Sequence, residues 1–185
     1  MPRPLLALFA AAALIAASCA SAPAPGEKLW STLTPHCGQA FVGRLVEGTD
    51  PSDAAFGESL LVARILQCSE QELRISLEVG RDRSRTWIVT RIPGGVRLKH
   101  DHRHPDGSED SLSRYGGDTR GAADGPSLDF HADSFTAQLI PRAATNIWTL
   151  SVESQRSFSY GLRREASGRR FRIEFDFGKP APAQE

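Results

Sequence analysis

The sequence predicts an all-β domain: an antiparallel meander of about eight strands with one short helix, closing into a lipocalin-like barrel, a β-sandwich being the alternative. Three observations carry this. Apolar and polar residues alternate with period two over whole segments, turn-forming residues separate most neighbouring segments, and each alternating segment has one apolar face to bury. Strands of this kind cannot remain an open sheet, because the apolar face and the edges would be wet.

The first two strands are the least regular, at 40–46 and 59–67, and the stretch 47–58 between them reads as a long loop. In the third, Leu73, Ile75, Leu77 and Val79 alternate with Glu72, Arg74, Ser76 and Glu78. Gly80 to Asp82 turns the chain into 84–92, where Trp87, Ile88 and Val89 give the aromatic and β-branched content of a strand. Pro93-Gly94-Gly95 turns it again into 95–104. Residues 116–127, rich in Gly, Asp and Ala, read as a second long loop, and Asp133 to Ile140 is the one helical signal, with Asp133 as cap and Phe135 and Leu139 four apart. Three clean strands follow: Trp148, Leu150 and Val152; Phe158, Tyr160 and Leu162; and, after Ser167-Gly168, Phe171, Ile173, Phe175 and Phe177.

The N-terminus has a different character. Arg3 is the only charge before Glu27, and Leu5 to Ala17 is thirteen apolar residues, too short to span a bilayer but right for a signal-peptide core. Ile15-Ala16-Ala17-Ser18-Cys19 resembles a bacterial lipobox, in which Cys19 is lipidated and becomes the first residue; Ala16 departs from the usual Leu. The competing cut after Ala20-Ser21-Ala22 would place Pro23 next to the bond, which obstructs the ordinary signal peptidase. The expected layout is therefore a lipoprotein signal peptide over 1–18, lipidated Cys19 and a Pro-rich tether over 19–27, one β domain over 28–178 and a frayed tail over 179–185. The chain would be anchored in the bacterial envelope facing the periplasm, and Ala20 after the cysteine points to the outer membrane.

In that oxidising space Cys37 and Cys68 can pair, leaving no free thiol. The layout agrees, because Cys37 precedes the first strand of a hairpin and Cys68 ends the second, which are adjacent places in an antiparallel pair. Such a bridge also removes the candidate thiol nucleophiles.

Composition excludes other classes. Twenty-two basic residues balance 22 acidic ones, so there is no positive field for nucleic acid. The mean hydropathy of −0.31 is too polar for a multispanning membrane protein. No Gly-x-Ser-x-Gly, phosphate loop or Cys-x-x-Cys is present, and the balance favours binding over catalysis.

Two sets of residues are candidates for a site. If the strand from Val96 runs to His104, then His100, His102 and His104 prolong its apolar face while Asp101 points the other way, which rules out an Asp101–His102 dyad. His-x-His spacing lets two imidazoles converge on a transition metal such as Zn, with a third ligand from His104, His131, Asp118 or Glu109. The alternative is a polar network in which the histidines bond to Asp110, Tyr115 or backbone and close one end of the barrel. The second set, Trp87, Trp148, Phe158 and Tyr160, would line a ligand pocket, against the plainer reading that they are core. The run Arg81-Asp82-Arg83-Ser84-Arg85 offers a grip for an anion, against the plainer reading of a solvated turn, and most of the other arginines read as solvated surface.

Asp82-Arg83-Ser84-Arg85-Thr86-Trp87, Arg97 to His104 with Asp106-Gly107, and Tyr115-Gly116-Gly117-Asp118-Thr119 resemble a family of small secreted or lipid-anchored bacterial proteins known only as hypothetical. That resemblance implies an envelope location and brings no catalytic residue with it. Three functions follow as expectations: a module binding a small apolar ligand, a His-coordinated metal protein such as a hydrolase, or an envelope component whose loops 47–58 and 116–127 meet another protein.

Overall fold

The computed structural model describes residues 23–121, 123–153 and 155–182; the expected signal peptide, Cys19 and the last residues of the expected tail lie outside them. The described chain is a closed antiparallel barrel of ten strands in strict up-and-down order. They are β1 Ala40–Gly48, β2 Leu61–Cys68, β3 Glu72–Val79, β4 Asp82–Ile92, β5 Gly95–His102, β6 Gly116–Thr119, β7 Ser127–Ala132, β8 Asn146–Glu153, β9 Ser157–Arg164 and β10 Arg169–Pro180. Each strand bonds to its neighbours in sequence, and β1 pairs with β10 to close the sheet, Leu45 lying opposite Ile173. The expected alternation holds: Leu73, Ile75 and Leu77 face the core, as do Phe171, Ile173 and Phe175.

The sheet has two strands more than the sequence announces: β6 occupies the first residues of the expected loop 116–127, and β7 starts at its last residue. In β6 the chain approaches its neighbours so closely that a Cβ on Gly117 would lie 1.6 Å from the His131 carbonyl oxygen, and one on Gly116 would lie 2.0 Å from that of Leu98. Glycine there is a packing requirement, and it removes the side-chain alternation that marks a strand. β7 keeps a short alternation, with Leu128 and Phe130 buried. An all-antiparallel barrel closes only on an even number of strands, so the two come as a pair.

Among the described residues three α-helices lie at the ends of the barrel. α1 (Glu27–Leu33) buries Leu29, Trp30 and Leu33, and so takes in Glu27 from the expected tether. Trp30 Nε1 donates to the Ser69 carbonyl at 2.9 Å, and the Arg91 guanidinium lies 4.3 Å over the indole. Beside it the Cys37–Cys68 disulfide joins the start of β1 to the end of β2, with Cα atoms 6.1 Å apart. The opposite end carries α2 (Ala54–Glu58) and α3 (Ser134–Leu139). Asp133 caps α3 by accepting from the Thr136 amide at 2.8 Å, as the sequence suggests. The anchor differs from the expected Phe135: that ring is 47% exposed, while Thr136 is fully buried and bonds to both the amide and the carbonyl of Gly116. Strand directions place the N-terminal segment and the end of β10, which runs to Pro180, at the α1 end.

Candidate functional site

The site grows out of strand parity at the end away from α1. Cross-strand partners share a face, so Trp87 opposite His100 and Arg85 opposite His102 all point inward. The same rule turns Trp148 and Leu162 inward as a pair, then Asn146 with Arg164, and Arg164 with Arg169. The interior is therefore layered. Valine, leucine and phenylalanine fill the half toward α1, an aromatic layer of Trp87, His100, Trp148 and Tyr160 lies above it, and a polar rim of Arg85, His102, Asn146, Arg164 and Arg169 tops the strands.

Between the aromatic layer and the rim is a cavity of about 230 Å³. α2 contributes Phe56 to its wall, and the turn Pro141–Ala143 contributes Ala143 and solvent-exposed Arg142. On its floor Tyr160 stacks on Trp87 with ring centres 4.3 Å apart. His100 Nδ1 lies 3.2 Å from the Tyr115 carbonyl, which can only accept, so Nδ1 carries the hydrogen. Nε2 then accepts from the Tyr160 hydroxyl at 2.8 Å. Burial holds the His100 pKa down to about 3, so the imidazole is neutral at physiological pH. His102 Nε2 is 3.1 Å from the Tyr115 hydroxyl; loss of water and then Arg85 push its pKa down as well. Burial pushes Tyr115 up to about 12 and also raises Tyr160 well above its ordinary value. The four groups form a neutral, hydrogen-bonded network that runs from the floor to the rim rather than a set of charged acids and bases.

The expected metal set is only half assembled. β5 ends at His102, because the turn at Pro105, Asp106 and Gly107 takes over: the His104 amide bonds to the Ser108 carbonyl at 2.9 Å and the His104 side chain is exposed. Asp118 is on the outer surface, gripped by Arg97 at 2.7 and 2.8 Å. His104 and Asp118 thus do not join His100 and His102, and Glu109 is held by Arg103 and Arg114 outside the barrel. Among the described residues no group of three or more His, Cys, Asp or Glu is placed to hold a metal ion. Of the expected lining, Trp87, Trp148 and Tyr160 face the cavity; Phe158 lies deeper, stacked on Phe175 at 4.8 Å.

The arginines are where sequence reasoning fell short. Arg85, Arg164 and Arg169 continue the inward parity of Trp87, Leu162 and Phe171, yet charge made them read as surface. Arg169 donates to Asp53 at 2.5 Å and lies 4.0 Å from Asp50, while Arg85 pairs with Asp82. Arg164 has a neutral partner, Asn146, at 2.7 Å. Its pKa is held below the ordinary value, first by loss of water and then by Arg169 and Arg142. No family model, no curated protein and no solved structure matches the chain.

Proposed function

We propose that this chain is a periplasm-facing envelope lipoprotein whose lipocalin-like barrel binds a small molecule. The observation that supports it most is the cavity of about 230 Å³ over Trp87, Trp148 and Tyr160. Filled cores have no such space, and an aromatic floor below convergent polar groups is the usual make-up of a ligand site. The volume falls below the ~300 Å³ at which pockets begin to take drug-sized molecules, which suits an occupant of about a dozen non-hydrogen atoms. An anchor at Cys19 would enter the domain beside α1, so the cavity would open away from the membrane.

Tryptophan emission of the purified protein, titrated with naphthalenemethanol and with naphthalene carboxylate, tests the reading. Saturable quenching by either, with Kd of about 1–100 μM, equivalent to about −8 to −5.5 kcal/mol, is the expected result. Strictly linear quenching by both would remove it. For the anchor, Cys19→Ala should move the protein from the membrane to the soluble fraction, and unchanged membrane attachment would count against lipidation.

A further inference from the structure

We infer that the ligand is a flat organic monoanion, its apolar body between Trp87 and Trp148 and its carboxylate held at the rim by Arg142 and Arg164. This rests on the binding reading above and adds the charge and chemical class of the occupant.

The rim has more cation than its own acids neutralise. Arg85, Arg142, Arg164 and Arg169 line the cavity, and the carboxylates that reach them are those of Asp82, Asp53 and Asp50. Four guanidinium groups face three carboxylates, which leaves one positive charge. The surplus has a location: among the described residues neither Arg142 nor Arg164 forms a close ion pair with an acid, since Arg164 bonds to the neutral amide oxygen of Asn146 and Asp50 acts on it only from a distance. Loss of water first, and then the neighbouring cations Arg169 and Arg142, disfavour the charge on Arg164, so an anion between these cations relieves a cost already present.

Guanidinium groups suit the two oxygens of a carboxylate by geometry. One surplus charge matches a monoanion, whereas a phosphate monoester carries about −1.5 to −2 and would bring an uncompensated negative charge against Asp53.

The test compares three probes of one shape, naphthalene carboxylate, naphthyl phosphate and naphthalenemethanol, on the wild-type protein and on Arg142→Gln and Arg164→Gln. The carboxylate should bind at least tenfold more tightly than the alcohol and more tightly than the phosphate. Its advantage should fall severalfold in each variant, while the alcohol binds all three proteins alike. Equal binding of carboxylate and alcohol would overturn the inference and leave the binding reading standing. A carboxylate advantage kept in both variants would overturn the assigned residues, and tighter phosphate binding would overturn the monoanion. Binding of none of the probes would remove the binding reading and the inference with it. Arg142 is solvent-exposed, so its variant keeps the test decisive even if Arg164→Gln folds poorly.

Discussion

Tyr160 and His100 are joined by a fully buried hydrogen bond of 2.8 Å, in which the phenol donates and the imidazole accepts. The direction follows from the other face of the ring, where Nδ1 donates to the Tyr115 carbonyl. The floor of the cavity therefore depends on a histidine that must stay neutral.

The first consequence is a pH dependence. His100 takes up its proton near pH 6.5 in the unfolded chain and only near pH 3 in the folded one. Between those values the unfolded state binds more protons, so stability falls as pH falls, by up to about 1.4 kcal/mol per pH unit. Urea titrations from about pH 7 to about pH 5 should show wild type losing about 2 kcal/mol more than His100→Gln. Parallel profiles for the two proteins would contradict the neutral, buried assignment.

Removing the donor should be costly by itself. Tyr160→Phe leaves His100 Nε2 buried without a partner, and a loss of about 1–3 kcal/mol is expected from chemical denaturation. A neutral effect would mean that the bond contributes nothing to the fold.

The glycines of β6 make a sharper steric prediction. Gly117→Ala places a methyl group 1.6 Å from a carbonyl oxygen of β7, so the strand pair must open, at a cost of about 3 kcal/mol or more. Amide exchange from Leu98 to Phe130 should accelerate. Gly168→Ala is the control: nothing lies within 4 Å of its Cβ, and only the positive φ of 68° opposes it, at about 1 kcal/mol. Equal costs for the two variants would refute the steric argument.

The disulfide holds the end that α1 closes. Replacing both Cys37 and Cys68 by Ser releases a link of sequence separation 31, and thermal unfolding should register a loss of about 3–4 kcal/mol. An unchanged Tm would assign the closure of that end to α1 alone.

Parity made most of the barrel legible. Leu73, Ile75 and Leu77 lie where their alternation puts them, as does the pairing of Cys37 with Cys68. β6 escaped because its requirement is the absence of side chains, which in a sequence looks like a loop. α1 escaped because Leu29 and Leu33 make a single i, i+4 pair in a short segment next to a Pro-rich stretch. In the site, alternation told which face a residue takes but not its depth along the barrel: Phe158 and Tyr160 share a parity, and only Tyr160 reaches the cavity. The three inward arginines were concealed by the same ambiguity. Charge says outward and parity says inward, and only the position of the mouth reconciles the two.

The three tryptophans provide the most direct test of the binding claim. Trp87 and Trp148 line the cavity, whereas Trp30 lies at the other end of the barrel with its indole hydrogen bonded to Ser69. The three indole NH resonances should be recorded while naphthalene carboxylate is added. The account predicts saturable shifts for Trp87 and Trp148 with Trp30 unmoved. Shifts confined to Trp30, or none in any of the three, would contradict it.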